Sequence, residues 1–167
     1  MEGGCSCGEV RYSLNELPMF VNCCHCTDCQ KETGGAFAIN ALVEAANLPL
    51  LKGTPERIAM PTESGRPHDV YRCPTCKVAV WSDYGRRGYV FFLRVSTLDE
   101  PHAITPDAHI FTRSKVPWVD LGGDLPPGTA TGKPAGVYDI FYEMKSLWPA
   151  ASLARREAAS AAAKKQA

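Results

Sequence analysis

The sequence carries no excess of charge of either sign: 18 Lys and Arg balance 18 Asp and Glu, for a formal net charge of zero. A general nucleic-acid binder needs a basic excess to displace counterions, so that class is not expected, and neither is an electrostatic membrane anchor. No apolar run approaches the roughly 20 residues that cross a bilayer. Met1-Glu2-Gly3-Gly4-Cys5 holds no basic segment leading into an apolar one, so no secretory signal is read and a reducing, cytoplasmic setting is expected. Internal repeats are absent, as are long basic or low-complexity tracts. So is the strand–helix alternation of a parallel α/β sheet. What the chain does have is cysteine, eight in 167 residues. A chain this long buries a core without disulfides, so the thiols need another reason. In a secreted protein the alternative would be a disulfide framework.

Four of the eight thiols and an imidazole fall within Cys23-Cys24-His25-Cys26-Thr27-Asp28-Cys29. Packing asks for no such density, because a buried cysteine acts as a small hydrophobe that Val or Ala replaces. Thiols this crowded bind a soft metal or oxidise.

Around this stretch the pattern is of short strands. Val10, Tyr12 and Leu14 alternate with polar residues and predict a strand that Pro18 ends. Met19 to Asn22 is a short strand entering the cysteine cluster, and Asp28 to Glu32 a turn of helix stopped by Gly34-Gly35. Ala36 to Val43 reads as a buried strand, with shorter ones at Leu48 to Lys52 and Arg57 to Met60. His68 to Arg72 runs into Cys73-Pro74-Thr75-Cys76, and Val78, Val80 and Trp81 continue beyond, the layout of a zinc knuckle at a hairpin tip. Gly88 to Val95 is the most hydrophobic stretch and is expected to be the central strand. Ala108 to Thr112 is one more strand. Residues 122–136 are a Gly/Pro/Thr loop, and from Val137 onward the chain is helix-compatible apart from Pro149. Ala150 to Ala167 reads as a marginal exposed helix or frayed tail with no assigned function. The expectation is a mainly β domain over 1–136 and a partly exposed helical extension over 137–167.

The thiols partition by counting. Cys5 and Cys7 form a C-x-C, Cys24, Cys26 and Cys29 a C-x-C-x-x-C, and Cys73 and Cys76 a C-x-x-C. Structural zinc takes four protein ligands, whereas a working site takes three and leaves a position open. The two pairs make a closed four-thiolate set and the triple an open one. Two other partitions stay open at this point. Cys73 and Cys76 joined to the central cluster would make a zinc ribbon, with an unusually wide spacer. An iron–sulfur cluster would need Cys23 as a fourth thiolate. Cys23 itself reads as a strand residue pointing away from the metal. His25, facing away from Cys24 and Cys26, reads as a packing or supporting residue rather than a ligand.

The order and spacing of four motifs carry a resemblance. They are Cys5-x-Cys7-Gly8-x-Val10-Arg11-Tyr12; Cys24-His25-Cys26-x-x-Cys29 with Gly34-Gly35-x-Phe37; Cys73-x-x-Cys76; and His109-Ile110-Phe111-x-x-Ser114-Lys115-x-Pro117-Trp118. Over about residues 3–128 the chain resembles the glutathione-dependent formaldehyde-activating enzymes, a family that also includes centromere protein V. The resemblance implies a β-tent fold stapled by zinc and two Zn²⁺ per chain. It implies a structural zinc on Cys5, Cys7, Cys73 and Cys76 and a catalytic zinc on Cys24, Cys26 and Cys29. It also implies a carbon–sulfur lyase similar to S-(hydroxymethyl)glutathione synthase, with glutathione or another small thiol as partner. One departure stands out: the family usually has glycine after the C-x-x-C, where this chain has Lys77, at a turn position that often takes positive φ.

Three thiolates give Zn²⁺ a net charge of −1, which suits holding a further thiolate better than activating water. The expected chemistry is reversible addition of a glutathione thiolate to a small aldehyde such as formaldehyde, with carbon–sulfur cleavage in reverse. His25, His109, Arg113 and Lys115 are candidates for handling the proton. Lys115 and Trp118 read equally as scaffold, an exposed lysine and a core tryptophan. The alternative functions are a non-catalytic zinc- or thiol-binding module and an interaction protein stapled by zinc.

Overall fold

The computed structural model describes residues 1–166. Eleven strands form two sheets among the described residues. β1 (Glu2–Gly4), β2 (Arg11–Ser13) and β5 (Leu50–Lys52) make a small antiparallel sheet. The large sheet is built from β3 (Phe20–Cys24), β4 (Ala38–Glu44), β6 (Glu56–Met60), β7 (His68–Arg72), β8 (Ala79–Tyr84), β9 (Val90–Arg94), β10 (Ala108–Ile110) and β11 (Gly136–Val137). Its order is β11-β10-β3-β4-β9-β8-β7-β6. β10 runs parallel to β3, and β11 parallel to β10; the other neighbours are antiparallel. The hydrophobic stretch near residue 90 does lie inside the sheet, between β4 and β8. No helix among the described residues is long and apolar enough to cross a membrane.

Period-two alternation sends successive side chains of the large sheet to two different cores. Val21, Ala41, Val43, Val80 and Leu93 pack toward Val10, Tyr12 and Leu14 of the small-sheet side. Phe20, Cys24, Leu42 and Val90 face the other way, toward Ala108, Ile110, Tyr142 and Trp148. The Phe20 ring stacks on Trp148 with centroids 5.2 Å apart. Cys23 and Cys24, adjacent in β3, therefore belong to opposite faces.

The C-terminal third departs from the sequence expectation. Val137 to Tyr142 is not helical, because its backbone is taken up by tertiary pairing. Tyr138 N–H donates to the His109 carbonyl, and the Ile140 carbonyl accepts from Phe111 N–H. Tyr142 then donates to Asn22 Oδ1 at 2.9 Å and accepts from the Trp148 indole at 3.1 Å. Helix begins later, as α2 (Met144–Leu147) and α3 (Ala150–Gln166). The alanine-rich segment is thus a helix, as read, but a docked one: Ser152 is buried and Leu153 packs on the second core. Ala167 lies outside the described residues. Trp118 is no core residue; it is 77% exposed.

Candidate metal centres

Cys5 and Cys7 sit in the turn between β1 and β2, where Gly8 at φ +73° lets the chain fold back so that its N–H reaches the Cys5 carbonyl. Cys73 and Cys76 sit in the turn between β7 and β8. Stacking of the two sheets brings these turns together, and the four Sγ atoms all lie within 4.8 Å of one another. Cys5 and Cys7 are 3.5 Å apart, and Cys7 and Cys73 are 3.7 Å apart. A tetrahedral ion with bonds of about 2.3 Å to sulfur sets its ligands about 3.8 Å apart, so the spacing suits zinc. Backbone amides converge on the same sulfurs: Val10 N–H on Cys5, and Thr75 and Cys76 N–H on Cys73. Burial pushes the Cys5 thiol up, but the Val10 amide and the thiols of Cys73, Cys7 and Cys76 outweigh it and bring it down to about 6. Lys77 does occupy the left-handed region, at φ +61°.

Cys24 ends β3, Cys26 caps the next helix and Cys29 lies one turn into it. Their three Sγ atoms form a second set within 4.8 Å. The helix, α1 (Thr27–Thr33), has Cys26 as N-cap, its sulfur accepting from Cys29 N–H at 3.4 Å. A thiolate fills the role usual for Ser or Asp and gains from the helix dipole. Gly34 at φ +67° closes the helix. The thiols of Cys24 and Cys29, with the amides of Cys29 and Asp28, hold Cys26 far below an ordinary thiol. Cys24 is driven up by the thiols of Cys26 and Cys29 and by burial. For Cys29 the Cys24 thiol acts downward, but Cys26 and burial prevail and take it to about 12. Three sulfurs this close repel one another as thiolates, and a positive ion among them would offset that repulsion.

The carrier of this set is pinned by residues the sequence reading passed over. The Gln30 amide bridges the His25 carbonyl, at 2.7 Å, and the Ser114 carbonyl, at 2.9 Å. Ser114 Oγ also donates to the His25 carbonyl, while His25 N–H donates to Ile110. Glu32 grips Arg94 with both oxygens at 2.7 Å, and Arg94 in turn donates to Asn40. Arg94 and Glu32 are almost fully buried, with side chains 6% and 5% exposed. This fastens α1 to the centre of the sheet and lends Cys29 a nearby positive charge. An arginine inside the most apolar strand was the available signal for Arg94. Gln30 and Glu32 gave none beyond following Cys29.

Among the proposed proton handlers, His25 and His109 are placed with Cys23 rather than with the three-thiol set. His25 is fully buried, its Nδ1 has no hydrogen-bond partner, and burial, with His109 and Lys115 nearby, lowers it to about 4. Burial also lowers His109. Arg113 is exposed, and the Lys115 ammonium donates to the carbonyls of Val116 and Val119, a strut for its own loop.

Two sheets with one four-thiol and one three-thiol set define a mainly β protein whose cysteines are arranged to hold metal ions. A family model described as "Glutathione-dependent formaldehyde-activating enzyme" matches residues 1–114. The chain belongs to that family. Among solved structures, the crystal structure of a Rhodobacter sphaeroides protein, a Northeast Structural Genomics target, is similar at 20% identity and a TM-score of 0.47, covering 59% of this chain and 88% of that one. No curated protein matches the chain.

Proposed function

We propose that the protein is a zinc-dependent carbon–sulfur lyase acting on adducts of glutathione, or a similar small thiol, with small aldehydes such as formaldehyde. In this reading Cys24, Cys26 and Cys29 hold the working zinc, and Cys5, Cys7, Cys73 and Cys76 hold a structural one, in a domain over 1–136 followed by an extension over 137–167. The observation that carries it is the inequality of the two sets: one gathers four thiols, the other gathers three. When bound there, zinc keeps an incoming thiol ionised at neutral pH while leaving its sulfur nucleophilic.

The chain's own part is to hold that geometry. Cys26 at the helix cap and Cys29 one turn later present their sulfurs from a short rigid element, and Gln30 and Glu32 fix that element to the sheet. In the forward reaction the thiol sulfur bonds to the aldehyde carbon, the carbonyl π pair moves to oxygen, and oxygen gains the proton the thiol lost.

The test is turnover of glutathione and formaldehyde to the hydroxymethyl thioether, followed by NMR. Cys26→Ala should reduce the enzymatic rate to the spontaneous one while leaving the four-thiol metal in place. A rate unchanged by Cys26→Ala would make the protein a thiol- or zinc-binding module instead.

A further inference from the structure

We propose that Cys23, His25 and His109 form a third metal site, for a zinc-type cation that takes mixed sulfur and nitrogen ligands. Cys23 Sγ and a ring nitrogen from each histidine lie within 4.8 Å of one another. Cys23 Sγ is 3.6 Å from His25 Nε2, which is 3.1 Å from His109 Nδ1. Around a tetrahedral ion bonded at about 2.3 Å to sulfur and about 2.05 Å to nitrogen, these edges are about 3.6 Å and about 3.3 Å. Two of the three edges thus match to within a few tenths of an ångström, and the third, from Cys23 Sγ to the His109 ring, is under 4.8 Å.

The fold explains the convergence. In an extended strand residues i and i+2 share a face, so Cys23 and His25 point the same way, opposite to Cys24. The parallel register of β10 on β3 sets His109 directly beside Cys23. The His25 backbone is held at both ends, by Ile110 on its N–H and by Gln30 and Ser114 on its carbonyl. Cys23 and His25 are buried and His109 is partly exposed, so the way in passes His109.

The donor chemistry favours an ion over hydrogen bonds alone. His25 Nε2 offers one lone pair or one proton, so it serves either His109 or Cys23, whereas an ion engages all three at once. Binding releases the Cys23 thiol proton. Each imidazole keeps its single proton on the nitrogen turned away from the ion, Nε2 of His109 and, at His25, the buried Nδ1 that has no hydrogen-bond partner. One thiolate and two neutral rings leave a divalent ion with a charge of +1, unlike either all-sulfur set.

The experiment is ¹¹³Cd NMR of the full chain saturated with Cd²⁺, in which the shift moves downfield with the number of bound thiolates. Three resonances are expected, the most shielded from the site with one sulfur. His109→Phe and, separately, Cys23→Val should each abolish that resonance, weaken the third Cd²⁺ at least 100-fold in titration, and leave the two all-sulfur signals. Two resonances from the wild-type chain at saturation, or a third that survives both substitutions, would overturn the proposal. The all-sulfur signals report separately on the thiolate sets.

Discussion

Arg155 of the C-terminal helix grips Glu44 at the end of β4 with two hydrogen bonds, Nε and Nη2 lying 2.7 Å and 2.8 Å from its two carboxylate oxygens. The same guanidinium caps the Leu17 carbonyl at 3.0 Å. An alanine-rich helix of weak amphipathicity needs such anchors, since propensity alone leaves it marginal. Arg155→Ala should therefore loosen α3, with amide exchange over residues 150–166 accelerating while the sheet stays protected. The pair is partly exposed, so the loss is about 1 kcal/mol. Burial raises the Glu44 carboxyl, but Arg155 outweighs it and holds the group below its ordinary 4.5. A depressed folded pKa means that this stabilisation is complete above the unfolded value and disappears as pH falls through the folded one. Wild type and variant should converge in strongly acidic solution; a difference that persists there would assign the effect to packing.

The two thiolate sets should release metal at different rates. In the Cys23→Val background, which removes the proposed third site, a mild chelator should strip one zinc per chain early and leave the second, whose four-cysteine shell has no open position. Mass spectrometry of the chelated protein reads this directly, and added glutathione should slow the early loss. Equal resistance of both ions would mean that the three-thiol set has recruited a fourth ligand.

Lys77 occupies a left-handed conformation that costs a side-chain-bearing residue about 1–2 kcal/mol. Its ammonium meets Glu56 in an exposed pair, which returns little. Lys77→Gly should raise stability by about 1 kcal/mol in denaturant melts and tighten metal retention at the four-thiol set. Destabilisation would show that the ion pair outweighs the backbone strain.

Removing Arg94 while keeping Glu32 should be costly, because a buried carboxylate would lose both its close hydrogen bonds and keep only Arg72, whose Nη2 is 3.7 Å away. Arg94→Leu is expected to cost about 3–5 kcal/mol, with much of that recovered in the double variant with Glu32→Gln. Chemical denaturation of the three variants closes the cycle. Additive losses would mean that the two residues do not act as a pair.

Gln30→Ala should leave the fold intact and cost about 1 kcal/mol, since the His25 carbonyl keeps its bond from Ser114. Its sharper signature is kinetic: metal should leave the three-thiol set faster, while the four-thiol set keeps its rate.

The spacing of Cys5, Cys7, Cys24, Cys26, Cys29, Cys73 and Cys76 marked out two pairs and a triple, because spacing within a turn is a local property, and ligand counting pointed to a set of four and a set of three with two other partitions still open. Strand positions were legible for the same reason: His68 to Arg72 and the apolar run near Val90 announce themselves by period and composition. Gly34-Gly35 marked where α1 stops. What the linear chain does not encode locally is who meets whom. His109 stands beside Cys23 through a parallel pairing of strands more than 80 residues apart. Arg94 lies under α1, and Val137 to Tyr142 stays non-helical because β10 and its neighbours occupy its backbone. Residue type and short-range spacing specify the two cysteine pairs and the triple, whereas the meeting of Cys5 and Cys7 with Cys73 and Cys76 is tertiary. Strand alternation by itself turns Cys23 and His25 away from the three-thiol set; only the sheet order, which trades local propensity for long-range hydrogen bonds and buried area, brings His109 to meet them.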